Sequence, residues 1–216
     1  MAKKRPNKPA GPVYNRSIFI NCPFDGEYEQ LLEAAVFTVY CCGYWPRCAL
    51  EVYDSGQVRI EKIFKLIEGC QFGIHDISRT ELDPDSQLPR FNMPLELGVF
   101  LGAQRFGTAV QRRKNCPVLD REPYRYQKFM SDIAGQDIAA HGGNPVTLIS
   151  HVRDWLCAVG SPRQQPGGQA IALNFAAFRA DVPAICEKLR LVVTQLAFVD
   201  YRNVVNAWLT LPQFSR

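Results

Sequence analysis

The sequence lacks any apolar run of the roughly 18 residues that a membrane-spanning helix needs. No hydrophobic stretch follows its basic N-terminus that could act as a signal peptide. None of the eight cysteines forms a Cys-x-x-Cys pair, and most lie inside apolar stretches. Because scattered buried thiols suit a reducing compartment, we expect a cytoplasmic protein without membrane contact.

Metal-ligand patterns and internal repeats are also missing. The three histidines, His75, His141 and His151, are scattered without the spacing of a metal site. We therefore expect no bound metal and no resident cofactor. The 216 residues are 47% hydrophobic and 21% charged, which is typical of one globular domain of moderate size.

Acidic residues are absent from the first 16 positions, which carry five bases: Lys3, Lys4, Arg5, Lys8 and Arg16. Without these five, 20 basic residues face 21 acidic ones, so the net charge of +4 belongs to this segment. Its composition predicts a disordered basic tail over 1–16. The tail either only keeps the protein soluble or contacts nucleic acid through salt-sensitive, sequence-independent attraction.

Short apolar runs alternate with helical patterns over most of the chain. The runs predict strands over 17–22, 47–53, 72–78, 116–120 and 137–140, and the intervening patterns predict helices, including one over 124–134. This alternation predicts a Rossmann-like (flavodoxin-like) α/β domain over 17–160, with a parallel sheet and helices on both faces.

The pattern changes after residue 160. Residues 161–169 are rich in Pro, Gly and Gln, which predicts a linker. Residues 170–216 show only helical periodicity and predict a helical extension that packs on the main domain or on a partner. Phe198, Tyr201 and Trp208 would supply apolar surface for a homo-oligomer or a partner protein.

The segment Asn92–Gly98 contains the most informative residue, Glu96, which has apolar neighbours on nearly every side. We expect it in the first turn of a helix, where the macrodipole favours negative charge by roughly 0.3–1 kcal/mol. One interpretation is that Glu96 only satisfies the helix end. The other is functional, since Gly98 and Gly102 lie on one helix face where a ligand or backbone could approach closely.

Polar residues near the ends of strands one and three are further candidates, because ligands bind at the carboxyl ends of parallel strands. Each has a simpler structural alternative. Asp76 could cap its loop or pair with Arg79, and Asp25 with Gly26 could be an ordinary turn. His75 fits a satisfied core histidine better than a site residue.

Three segments in order resemble the nucleoside 2-deoxyribosyltransferase-like group, which is related in architecture to TIR domains. They are Asn-Cys-Pro-Phe after strand one, Asp-Ile-Ser after strand three, and Met-Pro-Leu-Glu-Leu-Gly at a helix start. The resemblance covers about residues 17–160. It implies that Glu96, which precedes x-Gly, is the nucleophile or charge stabiliser at the sugar C1′. It also matches Asp76 to a family aspartate.

One departure shifts the implied activity. Where the transferases have Asp before Gly-Thr, this chain has Asn92 before Met-Pro. That variant resembles effectors of bacterial anti-phage defence, which cleave N-glycosidic bonds in NAD or nucleotides. The resemblance therefore implies an N-glycosidase acting on NAD or a related nucleotide, possessing one essential carboxylate. The implied substrate-binding residues are Asn21, Phe24, Asp25, Asp76, Ser78, Arg79, Asn92 and Met93.

Two alternatives stay open at the level of sequence. One is a nucleoside deoxyribosyltransferase, and the other is a non-catalytic module that senses nucleotides or binds a partner. A Glu96 carboxylate held by Arg or Lys would favour the non-catalytic module.

Overall fold

Five parallel strands form the centre of the protein, whose computed structural model describes residues 13–52, 56–82, 87–160 and 164–211. The strands are β1 (Ser17–Asn21), β2 (Trp45–Arg47), β3 (Phe72–Asp76), β4 (Val118–Asp120) and β5 (Ala139–Ala140). Their order in the sheet is β2-β1-β3-β4-β5, with every neighbouring pair parallel. This is the flavodoxin-like order, so the predicted α/β fold class is confirmed.

The described ranges contain six α-helices: α1 (Glu29–Cys41), α2 (Arg59–Glu68), α3 (Asn92–Phe106), α4 (Pro145–Ala158), α5 (Gly168–Leu189) and α6 (Phe198–Leu209). The first four flank the sheet, and α5 and α6 pack on α1, with α5 also on α4. The pleat of β1 separates two cores, because successive side chains point to opposite faces. Ile18 and Ile20 pack with α1 and α4, whereas Phe19 packs with α2 and α3. All five residues of β1 are buried, as expected for a strand covered on both faces.

The C-terminal helices pack on the main domain and share its core. The prediction that they present apolar surface to a partner through Phe198, Tyr201 and Trp208 is wrong, because all three are buried within this chain. The ring of Phe37 in α1 stacks on Phe178 of α5 at a centroid distance of 5.1 Å and lies 5.6 Å from Trp208 of α6. The helix α5 begins at Gly168, inside the predicted linker, and residues 161–163 lie outside the described residues. No helix of the described ranges combines the length and the apolar character needed to cross a membrane.

Several local predictions differ from the structure. The strand predicted over 47–53 instead ends at Arg47 as β2, and Ala49–Glu51 form a 3-10 turn. Glu51 in this turn accepts a hydrogen bond from Nε of Arg47 at 2.7 Å. Because β2 is an edge strand, it tolerates Pro46, which donates no backbone hydrogen bond.

The segment 124–134 forms two 3-10 turns, Arg125–Lys128 and Ser131–Ile133, rather than the predicted helix. Tyr124 has a left-handed backbone (φ 60°), and the Arg125 side chain is held by the ends of neighbouring strands. These tertiary contacts override the local helical pattern.

The basic tail is only partly described. Residues 1–12, with most of its charge, lie outside the described residues, so the predicted disorder and nucleic-acid contact stay predictions there. Tyr14–Arg16, in contrast, form a 3-10 turn. The hydroxyl of Tyr14 donates to the carbonyl of Val110 at 3.0 Å, so the fold begins before residue 17.

Candidate functional site

The carboxyl ends of β1 and β3 meet the start of α3 at one place. In this strand order the chain leaves β1 and β3 toward opposite faces of the sheet, and such a switch point is where α/β sheets generally bind ligands. Cys22, the residue after β1, has a pKa raised well above its usual value by burial and then by the nearby charges of Cys48, Asp76 and Glu96. The two carboxylates singled out by the resemblance therefore lie near the same strand end.

Glu96 is the fifth residue of α3, and only 6% of it is exposed. The prediction that it lies in the first turn is wrong, because that turn contains no acidic residue and no side chain caps the helix. Glu96 therefore does not serve to satisfy the helix end. Its burial needs another explanation.

The carboxylate of Glu96 has no hydrogen bond or ion pair with any residue in the described part of the chain. Burial raises its pKa to about 7, against a smaller opposing effect of the Arg59 charge. The residue is mostly buried, but neither carboxylate oxygen is among the fully enclosed side-chain atoms without a partner, so the charge is only partly desolvated and keeps a narrow contact with solvent. Such a group is available to a ligand at the strand ends.

Asp76 at the end of β3 is fully buried, and both of its oxygens are occupied. Oδ2 accepts a hydrogen bond from the Tyr28 hydroxyl at 2.7 Å, and Oδ1 accepts one from the backbone N–H of Ser78 at 2.9 Å. Nε2 of His141 lies 3.0 Å from Oδ2, although its N–H is not aligned for a regular hydrogen bond. Asp76 therefore has a structural role, because its oxygens are used by groups of the protein and not left for a ligand.

Asp120 at the end of β4 is a second buried carboxylate with a partner. Its Oδ1 accepts from Nε and Nη2 of Arg125 at 2.9 and 2.6 Å, and Arg125 also donates to the carbonyl of Ile77 at 3.0 Å. Oδ2 of Asp120 has no hydrogen-bond partner among the described residues. Burial raises the pKa of Asp120, and the hydrogen bonds from Arg125 oppose that increase only in part.

Tyr28, Asp120, Arg125 and His141 belong to this polar network, and sequence reasoning missed them. A signal existed for Asp120 and His141, since each stands at or just after a predicted strand end. The same rule that selected residues after β1 and β3 also applies to β4 and β5.

The predicted residues Asp25 and Arg79 pair with each other. Nε and Nη2 of Arg79 donate to the two Asp25 oxygens at 3.1 and 3.0 Å, and Arg79 also pairs with Glu27. Asp25 accepts in addition from the backbone N–H of Tyr28 at 3.1 Å, at the start of α1. The charge of Arg79 is thus already neutralised, which disfavours phosphate binding by this residue alone.

Two cavities flank the loop after β1. One of about 300 Å³ lies toward the C-terminal helices and is lined in part by Phe24, Asp25 and Tyr201. The other, of about 450 Å³, is lined in part by Asp25 and Arg79. Glu96 lines neither of these two cavities. Phe24 and Asp25 therefore line cavities to which Glu96 does not contribute.

The start of α3 accounts for the remaining predicted residues. Asn92 is exposed as the first residue of the helix, whereas Met93 is buried. The Met93 carbonyl accepts a hydrogen bond of 2.8 Å from Nδ2 of Asn21. A Cβ added at Gly98 or Gly102 would meet nothing within 4 Å, so no described backbone approaches either glycine.

Within the described ranges, no group of three or more His, Cys, Asp or Glu side chains could hold a metal ion. All eight cysteines are free. Searches of protein-family models, curated proteins and solved structures found no match to this chain.

Proposed function

We propose that this chain is an N-glycosidase that cleaves the bond between base and ribose in NAD or a related nucleotide, with Glu96 as the essential carboxylate. The proposal includes a cytoplasmic protein that acts in bacterial defence, as the resemblance in the sequence implies. The observation that carries it is the unpaired, buried carboxylate of Glu96 at the switch point of a flavodoxin-like sheet.

The state of Glu96 also bears on the alternatives. A non-catalytic module would be favoured by a Glu96 held by Arg or Lys, but the described residues provide no such ion pair. Arg59 affects Glu96 only through its charge. Asp76, in contrast, is enclosed by its own network and has no free oxygen for a sugar. The arrangement therefore supports chemistry with one carboxylate.

The reaction needs little else from the protein. When the C1′–N bond breaks, its electron pair goes to the base, and positive charge develops near C1′. A fixed carboxylate in a site of low polarity stabilises that charge or bonds to C1′. Water then adds at C1′ and releases a proton to the solvent. Because nicotinamide leaves NAD as a neutral ring, the departing base needs no proton from an acid.

The test is release of free base from NAD and from nucleosides, followed by chromatography. Glu96→Gln keeps the size of the side chain and removes its charge, so we expect base release to fall by about 100- to 1,000-fold. Glu187→Gln, at an exposed position in α5, is the matched control and should leave the rate unchanged.

Two results would overturn the proposal. The first is a wild-type protein that releases no base from any substrate, even with its native partner present. The second is a Glu96→Gln variant that cleaves as fast as wild type. Transfer of the sugar to an added base, instead of to water, would identify a deoxyribosyltransferase.

A further inference from the structure

Asn21 connects three elements at the switch point. It is the last residue of β1, only 2% of it is exposed, and it lies opposite His75 of β3 in the sheet register. Its Nδ2 donates to Nδ1 of His75 at 3.0 Å and to the carbonyl of Met93 at 2.8 Å. Met93 is the second residue of α3, three positions before Glu96.

We propose that Asn21 is a positioning residue for Glu96 and that His75 supports its carboxamide at the first turn of α3. The catalytic meaning of this inference rests on the proposed function.

The Met93 carbonyl fixes the orientation of the Asn21 amide, and the amide in turn sets the tautomer of His75. Burial, and then the charge of Lys114, lower the pKa of His75 to about 3, so the ring is neutral near pH 7. With Nδ2 of Asn21 as the donor, Nδ1 of His75 accepts and the ring proton is on Nε2, which has no hydrogen-bond partner among the described residues. The Met93 carbonyl is an acceptor as well. A flipped Asn21 would aim Oδ1 at this carbonyl, so the bond to Met93 requires Nδ2 in the observed position.

His75 also contacts α3 directly. Its ring lies edge-on to Phe100 at a centroid distance of 4.8 Å. The ring fits because residue 73 is glycine. A Cβ at Gly73 would lie 2.7 Å from Nε2 of His75 and 2.9 Å from Cε2 of Phe100.

The spacing along α3 places Glu96 between these two points of attachment. Met93, Glu96 and Phe100 are three and four residues apart, so they share one face of the helix. Asn21 holds this face at Met93, and His75 contacts it at Phe100. Asn21 and His75 thus hold the helix on both sides of Glu96 without contacting its carboxylate.

Loss of the contacts made by Asn21 and His75 should lower the rate of base release more than it lowers substrate affinity. A displacement of about 1 Å of a catalytic group costs on the order of 100-fold in rate. Among the described residues, Arg59 and Cys22 interact electrostatically with Glu96, and neither forms a hydrogen bond or ion pair with it. We therefore expect Glu96 to depend on the first turn of α3 for its position.

The first arm of the test is kinetic. Asn21→Leu and His75→Leu should lower kcat for release of nicotinamide from NAD by about 10- to 100-fold, with KM changed by less than about threefold. His75→Asn keeps an acceptor at the same number of bonds from Cα, so it should recover most of kcat. Leu156→Ala, a buried change in α4 far from the site, controls for a general loss of stability.

The second arm does not need activity. The Glu96 carboxyl is followed by carbon-13 NMR during a pH titration, and its signal is assigned by its loss in Glu96→Gln. We expect a midpoint near pH 7 in wild type. In Asn21→Leu and His75→Leu the midpoint should fall, as a displaced Glu96 gains access to water, whereas His75→Asn should keep it.

The outcomes separate the two proposals. If wild type releases no base, the proposed function fails, and the titration alone decides the role of Asn21. An unchanged Glu96 midpoint in Asn21→Leu overturns the positioning role. The positioning role is also overturned if Leu156→Ala lowers kcat as much as Asn21→Leu does when the two variants have the same free energy of unfolding.

Discussion

Two buried carboxylates at the same edge of the sheet have opposite surroundings. Asp76 receives hydrogen bonds from Tyr28 and Ser78 and lies 3.0 Å from a His141 nitrogen. Glu96 is 6% exposed and has no such partner among the described residues. Because burying a charge costs free energy unless other groups compensate it, Asp76 is part of the structure, whereas Glu96 lacks its compensation inside the protein.

The surroundings of Asp120 are intermediate between those of Asp76 and Glu96. One of its oxygens is held by Arg125, while the other has no partner in the described chain. Its pKa is raised in spite of the ion pair. Burial alone therefore does not distinguish a functional carboxylate from a structural one. The distinguishing property is whether the protein itself supplies hydrogen-bond donors to the carboxylate oxygens.

The largest predicted effect concerns the stability of Glu96→Gln. The pKa of Glu96 is about 7 in the folded state, against 4.5 ordinarily. The folded protein therefore binds the proton more tightly, and wild type loses stability as pH rises from about 4.5 to 7. Glu96→Gln has no carboxylate to ionise, so its stability does not fall over this pH range for that reason. At pH 8 it should be more stable than wild type by about 3 kcal/mol, a gain that disappears near pH 4.

Urea unfolding of both proteins at pH 4, 6 and 8 measures this difference. The other titrating groups are shared and cancel in the comparison. A Glu96→Gln variant that is less stable than wild type at pH 8 would show that the carboxylate has a stabilising partner after all.

The second effect is on the pH dependence of base release. If Glu96 must be ionised, kcat/KM should rise with pH and level off above pH 7, since this ratio reports the free enzyme. Between pH 5 and pH 8 the ionised fraction, and with it kcat/KM, increases by about 100-fold. A profile that is flat over this interval would remove Glu96 from the role of essential anion.

Asp76→Asn should act in the opposite direction from Glu96→Gln on stability. An amide cannot accept from all the groups that face Asp76, so at least one buried donor loses its partner, at a cost of about 2 kcal/mol. Urea unfolding at pH 7 measures this cost. Tyr28→Phe removes one of the donors, so it should cost less in the Asp76→Asn background than alone. Strictly additive costs would contradict the contact.

The sequence was enough to predict the strand and helix alternation, because alternation depends on local patterns, and one distinctive segment made Glu96 the candidate carboxylate. It could not show which carboxylate has partners. Tyr28 reaches Asp76 across 48 positions of the chain, and Arg125 meets the end of β3 through the carbonyl of Ile77. Such contacts depend on the packing of distant segments, and the same packing replaced the predicted helix over 124–134 by two short turns.

The smallest effect concerns the outer face of α3, two residues beyond Glu96. A Cβ at Gly98 meets nothing within 4 Å, so Gly98→Ala should stabilise the helix by about 0.5–1 kcal/mol. Gly73→Ala is the contrast, because its Cβ would collide with His75 and Phe100, and it should cost about 1–3 kcal/mol. Thermal unfolding compares the two. Base release by Gly98→Ala should equal that of wild type, because the described residues leave this face open. If the rate falls while stability rises, a substrate or a partner occupies this exposed face of α3 during the reaction.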